Sequence, residues 1–374
     1  MIRKILFITG TRADFGKLKP LMSYVEQHAD FELHLIITGM HMMKAYGSTY
    51  KEVLRQNYQH TYLSANQFSG EPMSAVFGNT VTLLSRLVDE IEPNMIVIHG
   101  DRLEALAGAT VGALSNRLVC HIEGGELSGT IDDSIRHAVS KLSHIHLVAN
   151  DTAKNRLIQM GEPNEQIFII GSPDLDVMNS QNLPNLDEVK SHYDIDFKEY
   201  SVSLFHPVTT EADSMAQHAK HYFDALKQSG KNYVVIYPNN DTGTEAILHE
   251  IYTLKNHPQF RCFPSVRFEA FLVLLKNAEF IIGNSSAGIR EAPFYGVPTV
   301  NVGTRQNKRL FAQSIINTDY QSQAILNAIN QINTLPALSP DTSFGEGNSV
   351  ELFAKFITQS DVWQMDLQKS FVDL

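Results

Sequence analysis

Residues 95–126, MIVIHGDRLEALAGATVGALSNRLVCHIEGGE, contain two short apolar runs separated by a segment of helical length. The runs at 95–98 and 118–122 have the continuous apolar character of strands buried on both faces of a sheet. Residues 103–114 form an amphipathic segment between them. A strand, a helix and a second strand in this order predict a parallel βαβ unit, because parallel neighbours need a crossover connection.

The same alternation extends through the chain. Apolar runs predict strands at 5–8, 33–37, 95–98, 118–122, 145–148, 167–170, 202–205, 233–237, 280–282 and 299–302. Strands of this kind that alternate with helices predict parallel sheets covered on both faces. The predicted fold class is therefore α/β, with two Rossmann-like, doubly wound parallel-sheet domains around a cleft.

Residues 171–200 interrupt the alternation with a glycine, two prolines and a polar, acidic stretch, which indicates a domain junction. We place an N-terminal domain at residues 1–172 and a C-terminal domain at 173–350. Residues 351–374 predict one or two helices that pack back across the junction. In open α/β sheets, ligands bind at the carboxyl ends of the strands, so the functional residues are expected there.

Composition excludes several classes of function. The chain has 374 residues, 30 Lys+Arg and 41 Asp+Glu, for a formal net charge of -11. An acidic balance disfavours non-specific binding to nucleic acid or to a membrane surface. No stretch reaches the roughly 20 apolar residues of a membrane span, so we expect a soluble, cytoplasmic protein. Its two cysteines, Cys120 and Cys262, do not form a CxxC pair, which argues against a disulfide framework or a zinc site.

Three acidic residues lie near one predicted sheet edge. Asp101 and Glu123 follow successive strands, and Asp132 lies at the start of a helix expected from about residue 130. Carboxylates that crowd together raise the pKa of at least one of them, which provides an acid and a base in one site. The arrangement therefore predicts acid–base catalysis.

A structural interpretation stands beside the catalytic one. Thr130 or Asp132 is suited to cap the helix, and Asp132 with Arg136 has the i,i+4 spacing of a surface ion pair. Asp101 is suited to pair with Arg102 or to cap the next helix. The shared position of the acidic residues at strand ends, beside two glycines, favours catalysis.

Two glycine-containing turns predict an anion site. Residues 10–16, GTRADFG, lead from the first strand into a helix expected near Lys17, and Arg12 is suited to bind a phosphate. This turn lacks the GxGxxG dinucleotide fingerprint. Residues 283–288, GNSSAG, precede a helix that includes Glu291 and supply Ser285 and Ser286. Both turns are also compatible with ordinary capped helix starts.

Two further polar residues follow strands of the C-terminal domain. His206 comes directly after the run at 202–205, where it is suited to donate to a phosphate or sugar oxygen. Arg305 follows the run at 299–302 and offers a cation. The chain has 15 histidines, but no HExxH spacing indicates a metal, and no GxSxG elbow indicates a hydrolase triad.

Together these motifs resemble the UDP-N-acetylglucosamine 2-epimerases, and in particular their hydrolysing branch, which includes bacterial sialic-acid and capsule enzymes. The resemblance runs in order through nearly the whole chain and rests on residues 10–14 (GTRAD), 99–102 (HGDR), 121–126 (HIEGGE), 129–137 (GTIDDSIRH), 206–210 (HPVTT), 283–286 (GNSS) and 303–306 (GTRQ). It implies a GT-B architecture and a homo-oligomer, a homodimer or a homotetramer.

The resemblance also implies roles for individual residues. It implies catalytic roles for Asp101, Glu123 and Asp132, UDP binding by Arg12, His206, Ser285, Ser286, Glu291 and Arg305, and sugar binding by His41, Arg102 and Arg136. The non-hydrolysing branch has Arg-Pro-Glu where this chain has residues 12–14, RAD, and this difference favours hydrolysis.

The implied reaction eliminates UDP from UDP-N-acetylglucosamine, then adds water to the resulting glycal with inversion at C2. It needs positioned acid and base groups but no cofactor and no metal. The implied product, N-acetylmannosamine, feeds sialic-acid synthesis. Alternatives are hydrolysing 2-epimerisation of a UDP-diacetamido-trideoxyhexose, non-hydrolysing epimerisation, a GT-B glycosyltransferase and a non-catalytic sugar-nucleotide binder.

Overall fold

The chain divides into two compact units in the computed structural model, which describes residues 2–128, 131–306, 313–336 and 338–373. Unit 1 comprises Met1–Glu126, Asp132–Ser180 and Ser343–Leu374, and unit 2 comprises Leu127–Ile131 and Gln181–Thr342. These divisions fall after Ser180 and after Thr342, whereas the sequence predicted boundaries at residues 172 and 350.

Unit 1 is built on a parallel sheet with seven strands among the described residues. These are β1 (Arg3–Thr9), β2 (Phe31–Ile37), β3 (His60–Leu63), β4 (Met95–His99), β5 (Leu118–Ile122), β6 (Ile145–Val148) and β7 (Ile167–Ile169). Their order across the sheet is β3-β2-β1-β4-β5-β6-β7. The chain therefore reverses direction across the sheet between β1 and β4.

Helices cover both faces of this sheet. They are α1 (Arg12–Gln27), α2 (Tyr50–Leu54), α3 (Met73–Ile91), α4 (Leu103–Leu114), α5 (Ile131–Leu142), α6 (Asp151–Gln159) and α7 (Pro173–Met178). In β1, Ile5 and Phe7 pack into one hydrophobic core and Leu6 and Ile8 into the core on the other face. Burial on both faces explains why the central strands are continuously apolar.

Unit 2 has a second parallel sheet, with six strands in the part of the chain that is described. The strands are β8 (Ser201–Leu204), β9 (Tyr233–Ile236), β10 (Phe260–Phe263), β11 (Ile281–Gly283), β12 (Thr299–Val302) and β13 (Ile315–Thr318), in the order β10-β9-β8-β11-β12-β13. The helices are α8 (Leu186–His192), α9 (Met215–Gln228), α10 (Thr244–Thr253), α11 (Phe268–Lys276), α12 (Glu291–Phe294) and α13 (Ser322–Ile332).

The C-terminal residues complete the core of unit 1. Helix α14 (Ser349–Ile357) contacts α1 and α7. Its Phe353 and Phe356 belong to the same hydrophobic cluster as Leu18 of α1. At the start of α14, the carboxylate of Asp176 accepts hydrogen bonds of 2.8 Å from the backbone N–H groups of Ser349 and Val350. Removal of this segment would therefore expose apolar surface of unit 1.

The predicted fold class is confirmed, since both units are doubly wound parallel α/β structures. The apolar runs did not predict β3, β10 and β13. Each of these is an edge strand with mostly half-buried or exposed residues, so polar side chains interrupt its apolar pattern. No helix in the described ranges is long and apolar enough to cross a membrane.

Each sheet has one point where the strand order reverses: β1 beside β4 in unit 1, and β8 beside β11 in unit 2. Loops that leave adjacent strands in opposite directions create a crevice at such a point, which is where open α/β sheets bind ligands. The candidate site residues lie after these strands and their neighbours.

Candidate active site

Asp101 and Arg136 form an ion pair at the carboxyl edge of unit 1. Asp101 lies just beyond β4, and Arg136 Nη2 on α5 donates to Asp101 Oδ2. The arginine side chain is almost fully buried, whereas the carboxylate is about one quarter exposed. The surface location considered for an Asp132–Arg136 pair is wrong for Arg136, because that side chain is buried and donates to Asp101.

Glu123 follows β5, the neighbour of β4, and is buried. Ser172 Oγ donates a 2.5 Å hydrogen bond to Glu123 Oε1, and His99 Nε2 lies 3.1 Å from Oε2. The φ angle of Glu123 is 65°, a left-handed conformation that costs roughly 1 kcal/mol for a residue with a Cβ. A residue with a carboxylate side chain thus occupies a position after β5 where glycine would be less strained.

Asp132 is the second residue of α5 and lies one helical turn before Arg136. Side chains four residues apart on a helix share a face, so Asp132 projects from the same side of α5 as the arginine that bonds Asp101. Gly129 and Thr130 lie outside the described residues, and with them the predicted Thr130 cap. The helix start thus brings the third predicted carboxylate to the helix face that contacts Asp101.

The turn after Glu123 is shaped by close packing. Gly125 has a φ of 73°, and a Cβ there would lie 2.2 Å from the carbonyl oxygen of Ala153.

His121, in β5, is buried, with Nε2 2.8 Å from the Gly100 carbonyl and Nδ1 3.1 Å from Ser140 Oγ. Burial lowers its pKa to about 3. His121 is thus a neutral residue that joins the turn after β4 to α5.

Arg102 lies at the N-terminus of α4, where its Nε is 3.7 Å from Glu104 Oε2. Glu104 is buried and packs against the backbone after β1 and β2: a Cβ on Gly10 or Gly39 would lie within 3 Å of its side chain. Arg102, a predicted sugar-binding residue, therefore lies beside the loops that follow the central strands.

The first glycine turn differs from its prediction. Helix α1 begins at Arg12 rather than near Lys17, with Thr11 as its N-cap. The Asp14 carboxylate accepts hydrogen bonds of 3.0 Å from the backbone N–H groups of Gly10 and Thr11. The anion site predicted at this turn is therefore not open at these two donors, because a capping box already places a carboxylate there.

Arg12, the cation predicted at this turn, forms an ion pair with Glu52 of α2, with Nε 2.6 Å from Oε2. Both side chains are mostly buried, at 19% and 13% exposure. An arginine in this position is able to bind a phosphate if the anion competes with Glu52.

His41 is fully buried, and its ring nitrogens contact two threonines. Nε2 lies 3.1 Å from Thr9 Oγ1, and Nδ1 lies 2.7 Å from Thr49 Oγ1. Thr9 Oγ1 in turn donates to Asp14 Oδ1 at 2.7 Å. Burial lowers the pKa of His41 to about 4, so the ring is neutral near pH 7. A sugar contact, as the resemblance implies, requires one of these hydrogen bonds to open.

In unit 2, His206 and Asn284 join the two strands at the switch point. The His206 backbone N–H donates to Asn284 Oδ1 at 2.7 Å, and Asn284 Nδ2 donates to the His206 carbonyl at 2.8 Å. The backbone N–H of Asn239 donates to His206 Nδ1 at 3.0 Å. The neutral ring therefore carries its proton on Nε2, which makes His206 a hydrogen-bond donor.

The second glycine turn provides Ser285 and Ser286, both partly exposed. Ser285 is the N-cap of a short 3-10 turn, and its Oγ accepts a 3.3 Å hydrogen bond from the Ala287 N–H. The helix predicted after this turn, α12, begins only at Glu291, because the intervening turn is 3-10. The side chain of Glu291 is buried.

Arg305 and Gln306 converge on the Asn284 carbonyl oxygen. Arg305 Nη1 donates at 3.4 Å and Gln306 Nε2 at 2.8 Å. The side chain of Asn284 also bonds the backbone N–H and carbonyl of His206. This fully buried residue therefore connects the ends of β8, β11 and β12. The structure thus brings His206, Ser285 and Arg305 to one edge of unit 2.

Sequence reasoning did not assign Ser172, His99 or Asn284. His99 and Asn284 were inside motifs at strand ends, so their position was a usable signal. Ser172 was read as part of a domain junction, although it follows β7, whose carboxyl end belongs to the same sheet edge as that of β5. Among the residues that the structure describes, no group of three or more His, Cys, Asp and Glu is arranged to hold a metal ion.

Comparison with known proteins adds a family. The family model described as UDP-N-acetylglucosamine 2-epimerase matches residues 23–358. The chain is 63% identical over 376 residues to a Neisseria meningitidis protein named UDP-N-acetylglucosamine 2-epimerase, with full coverage of both chains. It is 34% identical over 357 residues, 94% of each chain, to a Legionella pneumophila protein named UDP-N,N'-diacetylbacillosamine 2-epimerase (hydrolyzing).

A solved structure shows the same fold. The Methanocaldococcus jannaschii UDP-GlcNAc 2-epimerase, in complex with UDP-GlcNAc and UDP, superposes with a TM-score of 0.81 at 21% identity. The similarity covers 95% of this chain and 99% of that one. It therefore includes both parallel-sheet units.

Proposed function

The chain belongs to the UDP-N-acetylglucosamine 2-epimerase family, and from this premise we propose that it is a hydrolysing enzyme. It converts UDP-N-acetylglucosamine and water to N-acetylmannosamine and UDP. The observation that carries the proposal is the acidic edge of unit 1, where Asp101 pairs with Arg136 and Glu123 is held by Ser172. Asp132 shares the helix face of Arg136.

The proposed chemistry has two steps. A base removes the proton on C2 while the C1–O bond breaks, its electron pair leaves with UDP, and a C1=C2 double bond forms. Water then adds its oxygen to C1 and gives up one proton to a base, while an acid gives a proton to C2 from the opposite face. Two positioned acid–base groups are required, and the three carboxylates supply them. Proton transfer by such groups contributes typically 10²- to 10⁴-fold to the rate.

Charge accumulates on the departing diphosphate during elimination. We assign its stabilisation to Arg305, His206 and the Ser285–Ser286 turn of unit 2, with Arg12 of unit 1 as a further cation. The Nε2–H of His206 is a preorganised donor, since Asn239 and Asn284 fix the ring and its backbone. Preorganised donors stabilise developing charge without reorganisation during the reaction. Glu291 is assigned to the ribose hydroxyls.

Two observations support hydrolysis over reversible epimerisation. The Legionella relative carries hydrolysis in its name and is 34% identical over 94% of this chain. The turn after β1 reads Arg12-Ala13-Asp14, where the non-hydrolysing branch has Arg-Pro-Glu. Asp14 belongs to the capping box of α1. A cytoplasmic homodimer or homotetramer and a place at the start of sialic-acid synthesis are further parts of the proposal, which rest on the resemblance of the motifs.

The same Legionella relative favours one second candidate, the hydrolysing 2-epimerisation of a UDP-linked 2,4-diacetamido-2,4,6-trideoxyhexose. Its chemistry at C1 and C2 is identical, and the two candidates differ in the sugar substituents at C4 and C6. Comparison of kcat/KM for the two nucleotide sugars distinguishes them. We expect the higher value for UDP-N-acetylglucosamine, because the identity to the Neisseria relative is 63%.

The proposal is tested by incubating the protein with UDP-N-acetylglucosamine in D2O and following the products by NMR. We expect UDP and free N-acetylmannosamine with deuterium at C2. Deuterium at C2 of a sugar that stays linked to UDP would identify a non-hydrolysing enzyme. Consumption of the substrate only after addition of an acceptor would identify a glycosyltransferase, and UDP binding without turnover would identify a sugar-nucleotide binder.

A further inference from the structure

Glu211 of unit 2 has no role in the proposed reaction, but it contacts Thr304, the residue before Arg305. It lies in the 3-10 turn Thr209–Ser214, five residues beyond His206, and its side chain is partly buried. Both carboxylate oxygens accept hydrogen bonds from hydroxyl groups: Oε1 from Thr304 Oγ1 at 2.5 Å and Oε2 from Tyr320 OH at 2.7 Å. One side chain thus binds residues that follow two other strands, β12 and β13.

Tyr320 reinforces the contact to Thr304. Its hydroxyl oxygen accepts a 3.3 Å hydrogen bond from the Thr304 backbone N–H. Its ring stacks on His218 of α9, with ring centroids 3.7 Å apart and planes within 6°. Burial raises the pKa of Tyr320 to about 12, so the phenol remains protonated and donates to Glu211. Thr304 is therefore held through both its side chain and its backbone.

The adjacent glycine shows how closely the loop approaches this ring. Gly303 has a φ of 78°, and a Cβ at this position would lie 2.1 Å from Tyr320 Cζ. Only glycine allows both this backbone conformation and this contact. The segment from Gly303 to Thr304 is thus fixed by direct packing against Tyr320.

The next residue along the chain, Arg305, belongs to the proposed nucleotide site. Arg305 and Gln306 both donate to the Asn284 carbonyl oxygen. A change in the position of Thr304 moves the backbone of Arg305, because consecutive Cα atoms are about 3.8 Å apart across a rigid peptide plane. We propose that Glu211 is a positioning residue that fixes the 303–306 loop through Thr304 and Tyr320 and thereby holds Arg305 in place for a nucleoside diphosphate.

This inference rests on the proposed binding of UDP by unit 2. It assigns to Glu211 an effect through Arg305 rather than a contact with the ligand. We expect the loss of a hydrogen bond to the Glu211 carboxylate to release the 303–306 loop and to weaken UDP binding about tenfold, which corresponds to about 1.4 kcal/mol.

The test measures the dissociation constant of UDP by isothermal titration calorimetry, together with the melting temperature of each variant. Glu211→Gln and Thr304→Val are expected to raise the dissociation constant about tenfold, whereas Thr304→Ser, which keeps the hydroxyl, retains wild-type affinity. Asp213→Asn, which changes an exposed carboxylate in the same turn, is the matched control and binds UDP as the wild type does.

A second background separates positioning from general stability. In an Arg305→Ala protein, the further change Glu211→Gln is expected to alter the dissociation constant less than twofold, because the residue that Glu211 positions is already absent. Equal tenfold losses in both backgrounds, or wild-type affinity of Glu211→Gln and Thr304→Val, would overturn the inference while UDP binding stands. Failure of the wild type itself to bind UDP would overturn the proposed function and this inference with it.

Discussion

Ser172 Oγ donates a 2.5 Å hydrogen bond to Glu123 Oε1, although the two residues are 49 positions apart in the chain. The serine is fully buried and precedes α7, and the glutamate directly follows β5. The contact orients one of the three carboxylates to which we assign proton transfer. Substitution of Ser172 is therefore informative about a residue that itself has no acid–base chemistry.

We expect Ser172→Ala to lower kcat about tenfold, because a buried carboxylate that loses a donor is no longer held in one orientation and loses stabilisation of its charged form. The acid limb of the pH–rate profile should move to higher pH for the same reason. Steady-state kinetics across the pH range measure both effects. Ser74→Ala, at an exposed position on α3, is the control. An unchanged kcat and pH profile in Ser172→Ala would show that Glu123 does not depend on this contact.

The Arg12–Glu52 ion pair leads to a second prediction. Because Glu52 competes with a phosphate for Arg12, Glu52→Gln is expected to tighten UDP binding about fivefold, whereas Arg12→Ala weakens it. Calorimetric titration with UDP measures both changes. Glu90→Gln, which removes an exposed carboxylate from α3, corrects for the change in net charge. Weaker binding by Glu52→Gln would mean that the glutamate orients Arg12 for the ligand instead of competing with it.

Burial of His41 predicts a dependence of stability on pH. Its pKa is lowered to about 4, so the unfolded chain takes up a proton near pH 6.5 that the folded protein takes up only near pH 4. The free energy of unfolding is therefore unaffected by this residue above pH 6.5. As the pH falls from 6.5 towards 4, the free energy of unfolding decreases by on the order of 3 kcal/mol, because only the unfolded chain is protonated at His41.

Urea denaturation between pH 7 and pH 4 measures this effect. The slope of the free energy of unfolding against pH should be smaller in His41→Gln than in the wild type, because glutamine does not titrate. His249→Gln, at an exposed position, should keep the wild-type slope. If His41→Gln also kept that slope, His41 would not be responsible for the loss of stability.

Much of the fold was predictable because the burial of a strand determines which of its residues are apolar. Central strands such as β4 and β5 are covered on both faces, so they are continuously apolar and their bounds were nearly correct. Edge strands such as β10 carry half-buried residues and lack a continuous apolar run. The start of α1 was wrong for another reason: Thr11 and Asp14 form a capping box, and the same polar residues suggested an open anion turn.

The positions of the candidate site residues were predictable to the extent that these residues follow strands, whereas their roles remain a prediction. Asp101 and Glu123 follow adjacent central strands, and strand ends of a parallel sheet share one edge. Partners that arrive from distant segments were not predictable: Ser172 reaches Glu123 across 49 residues. His41 gave no sign of its burial, because nothing in its local sequence shows that its ring contacts Thr9 and Thr49.

The central claim is that carboxylates of unit 1 transfer protons while unit 2 holds the nucleotide. The direct measurement is the turnover of UDP-N-acetylglucosamine and the dissociation constant of UDP for Asp101→Asn, Glu123→Gln and Asp132→Asn. We predict that each variant loses at least about 100-fold in turnover, the size of an acid–base contribution, and binds UDP within about threefold of the wild type. Wild-type turnover in all three variants would contradict the account.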